Sequence, residues 1–153
     1  MKLTIVEERP DSSDSLSLLE MLDAELQGHP YPPESRHAFS VEKLIRENVA
    51  FFVARWEGAP VGCGGVKMFG TEYGEVKRMF VRPSMRGFGI GKAVLKRLEK
   101  YVREREARVL RLETGVHQTE AIGLYERFGF MKRPPFGEYK DDPNSVYFEK
   151  SIE

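Results

Sequence analysis

The chain has 153 residues, enough for one domain with a substantial buried core. Its 24 Lys and Arg residues balance 24 Asp and Glu residues, so no net field attracts nucleic acid or an anionic membrane. No apolar run approaches the length of a membrane span, the N-terminus turns acidic at Glu7, and the single Cys63 excludes an intramolecular disulfide. These features predict a cytoplasmic protein with one domain over residues 1–153 and with neither a nucleic-acid nor a membrane partner.

Hydrophobic periodicity predicts the elements of the N-terminal half. Residues 2–8 alternate between apolar and polar side chains, as a strand does. Leucines at helical spacing after the capping residues 11–14 predict a helix to about Gln27, and a Pro-rich loop precedes a shorter helix around Leu44. Three strands joined by Gly-containing turns follow, over residues 50–56, 61–69 and 72–82.

Helices and strands alternate in the C-terminal half. The helix from about Gly89 to Glu106 carries its apolar side chains on one face and its Lys and Arg side chains on the other. The remaining elements are a strand over 109–114, a helix over 118–128 and short strands over 130–132 and 145–151. The order β, α, α, β, β, β, α, β, α, β, β predicts an α/β (α+β) fold, with helices on the faces of one mixed sheet.

The segment 86–92 joins a predicted strand to a predicted helix and contains Gly87, Gly89 and Gly91. Glycines let the backbone approach a ligand closely, and amide N–H groups at a helix start lack an intrahelical partner, so the segment suits a phosphate group. A tight turn that needs glycine only for positive φ is the alternative interpretation. Ala93 stands where a Walker loop needs Ser or Thr, and the alternating glycines do not match the dinucleotide fingerprint.

Two blocks of sequence resemble one family. From Val81 to Gly91 the chain reads Val-Arg-Pro-x-x-Arg-Gly-x-Gly-Ile-Gly, which is similar to the acyl-CoA pyrophosphate loop of the GNAT superfamily of N-acyltransferases. Residues 120–130 resemble the family motif Ala-x-x-Leu-Tyr-x-x-x-Gly-Phe. Gln118 stands where the family often has Asn, and its amide offers the same hydrogen bonds one methylene further out.

The resemblance implies a GNAT-like acyl-CoA N-acyltransferase fold, a single mixed sheet of about seven strands with about four helices on its faces. In this family the strand before the glycine loop bulges and frees backbone amides for pantetheine and the acyl oxygen. Acetyl-CoA is the implied co-substrate, and an amine is the implied acceptor. The protein is expected to bind no metal, and a homodimer is one possible assembly. The residues assigned to the cofactor are Met79, Phe80, Val81, Arg86, Gly87, Phe88, Gly89, Ile90, Gly91, Lys92, Gln118, Ala121 and Tyr125.

Acetyl transfer to an alkylamine needs a base, because an amine with a pKa near ~10 is mostly protonated at neutral pH. Glu75 is the candidate base, since some GNAT enzymes place theirs on this strand; a carboxylate that only pairs with Lys77 or Arg78 is the alternative. Tyr125 is the candidate proton donor to the leaving thiolate, or else a core tyrosine. Cys63, among glycines in a strand, is interpreted as a packing residue.

Two segments that mix aromatic and charged groups, residues 29–37 and 134–139, correspond to the acceptor mouth of GNAT proteins. The leading hypothesis is an acetyl-CoA-dependent N-acetyltransferase that acts on a primary amine of a small molecule or peptide, by direct attack in a ternary complex. The alternative is a non-catalytic acyl-CoA-binding or sensing module of the same fold. Both use the glycine loop, and the presence of Glu75 and Tyr125 favours catalysis.

Overall fold

A computed structural model describes residues 2–36 and 39–153, which form a seven-stranded sheet with four α-helices. The strands are β1 (Leu3–Glu7), β2 (Ala50–Trp56), β3 (Ala59–Phe69), β4 (Tyr73–Val81), β5 (Val109–Gly115), β6 (Met131–Arg133) and β7 (Ser145–Ser151). The helices are α1 (Ser13–Gln27), α2 (Val41–Arg46), α3 (Ile90–Glu104) and α4 (Thr119–Phe128). The predicted element order and fold class are confirmed, and the bounds differ from the predicted ones by one or two residues.

The strand order in the sheet is β1-β2-β3-β4-β5-β7-β6, and only β4 and β5 pair in parallel. Alternation along β2 divides the core between the two faces of the sheet. Phe51 and Val53 pack with leucines of α1 and α2, whereas Phe52 and Ala54 pack with the apolar face of α3. Each face of the sheet is therefore covered by helices, as the periodicity predicts.

The helix bounds follow from local chemistry. The Ser12 side chain accepts a hydrogen bond from the Ser15 N–H at 3.1 Å and so caps α1. Gly89, which adopts the left-handed region, precedes α3. The apolar stripe of α3 is fully buried, with Val94 and Leu98 facing the sheet core.

β4 contains a bulge in its second half, opposite residues 63–65 of β3. Its register against β3 shifts between Cys63 and Gly65, where two residues of β3 span three of β4. At this bulge Arg78 has a φ of 56° and its carbonyl accepts a hydrogen bond from the buried Cys63 thiol at 3.4 Å. The bulge implied by the family resemblance is present, and Cys63 supports it from the neighbouring strand.

β4 and β5 pair over a short stretch only. Their ladder consists of Gly74 opposite Leu110 and Glu75 opposite Arg111. Beyond these residues the two strands no longer pair with each other, so a gap opens between the second half of β4 and the end of β5. Backbone groups on the facing edges of the two strands are thereby left without a ladder partner.

Candidate active site

Two adjoining cavities lie at the gap between β4 and β5. The larger, of about 820 Å³, runs along the glycine loop and the start of α4, and we call it the loop cleft. The smaller, of about 450 Å³, lies among β4, β5, the end of α1 and the loop after it, and we call it the inner cavity. The residues that line both cavities are Leu22, Met79, Gln118, Ala121 and Tyr125.

The start of α3 forms one wall of the loop cleft. Gly87 and Gly89 have φ angles of 87° and 83°, and an added Cβ at either would meet no atom within 4 Å. The first intrahelical bond runs from the Ala93 N–H to the Gly89 carbonyl at 3.0 Å, so the N–H groups of residues 89–92 have no partner in the helix. Several free donors at the positive end of a helix dipole suit a phosphate group.

Nearly all residues that the sequence assigned to the cofactor line the loop cleft. They are Met79, Phe80, Val81, Arg86, Gly87, Gly89, Ile90, Gly91, Lys92, Gln118, Ala121 and Tyr125. Phe88 is the exception: it lies between two left-handed glycines that turn its side chain outward, and that side chain is 67% exposed. The side chain of Phe88 is therefore not brought to the cleft, although its backbone belongs to the loop.

The cations of the loop cleft differ in their pairing. Arg86 donates to the Val81 carbonyl at 2.9 Å and to the Glu25 carboxylate at 2.7 Å, and it lies 3.5 Å from a Glu120 oxygen. Lys92 and Arg127 also line the cleft and make no ion pair within residues 2–36 and 39–153. These two cations are thus better placed than Arg86 to meet a phosphate, and sequence reasoning missed Arg127, which occupies an unspecified position of its motif.

Glu113 lines the inner cavity at the end of β5. Burial raises the pKa of this carboxyl to about 7, and the charges of Glu75 and Asp142 add to the rise. The hydrogen bond from the Ser145 hydroxyl, at 2.8 Å, and the charge of Lys77 act in the opposite direction. A carboxyl with a pKa about 7 is able to accept a proton near neutral pH.

Glu75 lies behind two groups that line the inner cavity. Its carboxylate accepts a hydrogen bond from the Tyr139 hydroxyl at 2.6 Å and pairs with the Lys77 ammonium at 2.9 Å. The same ammonium lies 4.0 Å from the centre of the Phe39 ring. Glu75 is only 3% exposed and is not among the described residues that line either cavity. In its contacts Glu75 thus matches the alternative interpretation, a carboxylate that pairs with Lys77.

Tyr125 lies where the two cavities meet. Its ring packs edge-on against Phe130, with centroids 5.7 Å apart, and its hydroxyl makes no hydrogen bond with the described residues. Burial, with the charge of Glu113 as a smaller cause, raises the pKa of this phenol well above its usual value. Tyr125 therefore stays protonated and keeps a free donor at the junction.

Tyr31 closes the junction from the loop after α1. Its hydroxyl accepts a hydrogen bond from the His117 N–H at 2.7 Å and donates to the Gln118 side chain at 2.5 Å. Its ring lies so close to Gly115 that a Cβ there would overlap the phenol oxygen. Of the predicted acceptor mouth, Tyr31, Ser35, Arg36 and Tyr139 line the inner cavity, whereas His37 lies outside the described residues.

Neither a metal-binding cluster nor a membrane-spanning helix is found within residues 2–36 and 39–153. In that part of the chain no three His, Cys, Asp or Glu side chains are grouped to hold a metal ion. Within the same ranges, no helix combines the length and the apolar character needed to cross a membrane.

Several known proteins are similar to the chain in sequence or in fold. An IAA acetyltransferase of Azospirillum brasilense is 44% identical over 152 residues, covering 98% of each chain. A Klebsiella pneumoniae structure assigned as an acyl-CoA N-acyltransferase superposes with a TM-score of 0.82 at 34% identity, covering 99% of this chain and 98% of that one. A GNAT family acetyltransferase of Elizabethkingia anophelis, solved with acetyl-CoA bound, has a TM-score of 0.72 at 16% identity, covering 98% of both chains.

The family model for the acetyltransferase (GNAT) family matches residues 16–130. This stretch includes the glycine loop, the motif on α4 and every described residue that lines the two cavities except Tyr139. This match agrees with the seven-stranded sheet, the bulged β4 and the gap between β4 and β5. The chain therefore belongs to the GNAT family and is an N-acetyltransferase.

Proposed function

We propose that the chain transfers the acetyl group of acetyl-CoA to a primary amine of a small molecule or peptide, by direct attack in a ternary complex. Acetyl-CoA occupies the loop cleft and the amine occupies the inner cavity. The observation that carries this proposal is that both cavities share Met79, Gln118, Ala121 and Tyr125. A thioester in one cavity and an amine in the other meet at these residues, so no acyl-enzyme is needed.

Glu113 is the proposed base. An amine bound as its ammonium form loses a proton to the Glu113 carboxylate, and the neutral nitrogen then attacks the thioester carbonyl carbon. Glu113 has a pKa of about 7, so it is partly ionised at neutral pH and still basic enough to take the proton. Glu75 is assigned a positioning role, because it holds Lys77 and Tyr139 in the wall of the inner cavity.

The developing charges also have candidate partners. Backbone N–H groups of β4 after the bulge, from Met79 to Val81, are proposed to polarise the thioester oxygen, since this edge of β4 is not paired with β5. When the tetrahedral intermediate collapses, the carbon–sulfur bond breaks and the electron pair leaves with sulfur. Tyr125 then donates a hydrogen bond to the thiolate, which its raised pKa allows it to do across the neutral range.

The test is acetyl transfer by the purified protein. A panel of amines is added with acetyl-CoA, released thiol is measured continuously, and the acetylated product is identified by mass spectrometry. We expect thiol release that depends on the amine and matches the product formed. Tight binding of acetyl-CoA without transfer to any amine would contradict the proposal and favour the acyl-CoA-sensing alternative.

Replacing Gly89 with Val should weaken acetyl-CoA binding by about tenfold or more. A β-branched residue is strained at a φ of 83°, and its side chain would fill the open space beside the free amides. Gly58→Val is the matched control, because Gly58 has a φ of 84° and open space around it but lies at the β2–β3 turn. Calorimetry should show weakened binding for Gly89→Val alone; equal affinities in the two folded variants would exclude the loop as the phosphate site.

Replacing Gly115 with Ala should raise the KM for the amine several-fold, since the added methyl would displace Tyr31 from the end of β5. Loss of the Tyr31 hydrogen bonds to His117 and Gln118 would open one wall of the inner cavity. Tyr31→Phe keeps the ring but removes both hydrogen bonds, so it should change KM in the same direction. Steady-state kinetics at saturating acetyl-CoA measure the effect, and an unchanged KM in both variants would remove Tyr31 from the acceptor site.

A further inference from the structure

We propose that the acceptor is an aminocarboxylate, whose carboxylate binds the Arg78 guanidinium while its amine faces Glu113. The inference rests on the proposed function, because it concerns the occupant of the same inner cavity. It is carried by the bulge in β4, by the pairing of charges around the inner cavity and by the apolar remainder of its lining.

The bulge presents Arg78 to the inner cavity in an arrangement that its internal contacts do not fully satisfy. The residue has a φ of 56°, in the left-handed region, and its side chain is only 6% exposed. Its Nη2 donates to Asp23 at 2.6 Å, but its Nε is buried without a hydrogen-bond partner. Strained backbone and an unmatched buried donor are typical of a ligand-binding position.

The partner of Arg78 is a weak competitor for an incoming anion. Asp23, on α1, is 50% exposed, so water screens its interaction with the guanidinium. Lys77, the neighbouring cation, is already held by Glu75 at 2.9 Å and by the Tyr139 hydroxyl at 3.1 Å. Of these two neighbouring cations on β4, Arg78 therefore gains more from a carboxylate in the cavity.

The charges around the inner cavity balance only while Glu113 is ionised. The described charged residues that line it are Asp23, Arg36, Lys77, Arg78 and Glu113. Lys77 is paired with Glu75 and Arg78 with Asp23, whereas Arg36 donates to three backbone carbonyls and to no carboxylate. Counted together with Glu75, which lies behind Lys77, these groups carry three positive and three negative charges while Glu113 is ionised. Protonating Glu113 therefore leaves one net positive charge around the cavity.

The reaction itself protonates Glu113, so the charge of the acceptor matters. After a simple ammonium gives its proton to Glu113, the acceptor is neutral and the extra positive charge of the wall stays uncompensated. An aminocarboxylate keeps one negative charge at that stage and restores the balance. A phosphate group, with a charge of about −1.5 to −2 near neutral pH, would exceed the single charge that is needed.

The rest of the lining fits the body of a small amino acid. Leu22, Leu26, Phe39, Val76 and Leu112 line the inner cavity, whose volume of about 450 Å³ is in the range of small-molecule sites. Apolar walls with a few placed charged groups fix the orientation of a ligand that has an apolar side chain and two charged ends. The expected acceptors are therefore amino acids with aliphatic or aromatic side chains.

The first test compares acceptors that differ only in the carboxylate. Leucine, phenylalanine and tryptophan are each assayed against the corresponding decarboxylated amine, with rates corrected for the fraction of neutral amine. We expect kcat/KM to be about tenfold or more higher for the aminocarboxylates, the gain typical of one charge-assisted hydrogen bond. Equal or faster transfer to the decarboxylated amines would overturn this inference and leave the proposed function intact. Absence of transfer to every amine would overturn the proposed function and the inference together.

The second test changes the pairing of Arg78. Arg78→Gln should raise the KM for aminocarboxylates about tenfold without changing that for decarboxylated amines or the affinity for acetyl-CoA. Arg46→Gln, at an exposed position in α2, makes the same charge change away from the cavity and should leave every parameter unchanged. An equal loss with both acceptor classes would assign Arg78 a structural role and contradict the inference.

A third variant keeps the test decisive if Arg78→Gln fails to fold. Asp23→Asn removes the internal competitor of Arg78 at a half-exposed position, so it is the milder change. We expect it to lower the KM for aminocarboxylates several-fold, because the guanidinium then has no other carboxylate, and to leave decarboxylated amines unaffected. A KM for aminocarboxylates that stays the same or rises in Asp23→Asn would contradict the inference.

Discussion

Glu113→Gln should lower kcat/KM near pH 8 by ~10²- to 10⁴-fold, the range typical of losing a general base. In the wild-type protein kcat/KM should rise with pH as Glu113 ionises, levelling above its pKa of about 7. In the variant the levelling near pH 7 should disappear and kcat/KM should keep rising with pH, because the amide has the shape of the carboxylate but cannot take a proton. Only the neutral fraction of the amine then reacts, so the defect should shrink as pH approaches the pKa of the amine near ~10.

Glu75→Gln is the matched comparison, since it makes the same chemical change on the adjacent strand. Glu75 is expected to position Lys77 and Tyr139, so its loss should lower kcat/KM by a similar factor at every pH and preserve the levelling near pH 7. The pH dependence of kcat/KM for both variants, with one identified amine, distinguishes the two roles. Loss of the levelling near pH 7 in Glu75→Gln, with the levelling retained in Glu113→Gln, would return the base to Glu75.

Stability supplies an independent check on Glu113. Its pKa is about 7 in the folded chain and near 4.5 when unperturbed, so the folded state holds the proton more tightly than the unfolded state. The contribution to stability is full below about pH 4.5 and is lost as pH rises through about 7. Glu113→Gln should therefore gain thermal stability relative to the wild type over that interval, as measured by Tm at several pH values. A constant difference in Tm would show that Glu113 is not buried with a raised pKa.

Local sequence signals predicted the parts of the fold and site that depend on near neighbours. The apolar stripe of α3 and the free amides after Gly89 follow from residues within a few positions of one another. The bulge at Arg78 came from the resemblance and not from local pattern, because neither alternation nor composition distinguishes a bulged residue from a paired one. The family resemblance thus supplied the irregularity of β4, which lies beside the gap where both cavities are found.

Contacts between distant segments were beyond the sequence pattern. Glu75 and Glu113 both lie on strands, and only the packing of Lys77 and Tyr139 over Glu75 shows which carboxyl faces the cavity. The packing of Tyr31 against Gly115 joins segments more than 80 residues apart, and no periodic pattern in the sequence predicts this contact. The pairing of charges in the active site can therefore be read only from the folded structure, whereas the phosphate loop can be predicted from the sequence.

Tyr125→Phe should lower kcat by about tenfold to ~10²-fold while leaving the affinity for acetyl-CoA unchanged. The hydroxyl makes no hydrogen bond with the described residues and lies at the junction of the two cavities, so its removal leaves no internal partner unsatisfied. Its effect should fall on the step in which the thiolate leaves, because only there does negative charge develop on sulfur. The low end of the range for acid catalysis is expected, since a thiolate leaves readily without full protonation.

The pH dependence separates hydrogen bonding by Tyr125 from proton transfer. Because burial raises the pKa of the phenol, the wild-type side chain stays protonated through the assay range, and the defect in Tyr125→Phe should be nearly constant with pH. Tyr101→Phe is the matched control. Tyr101, on α3, packs against Phe52 of β2 and is not among the described residues that line either cavity. Single-turnover rates for the two variants, with acetyl-CoA affinity measured separately, provide the comparison. Wild-type rates in Tyr125→Phe would reduce Tyr125 to a packing residue and leave the backbone amides of β4 and the base as the catalytic groups.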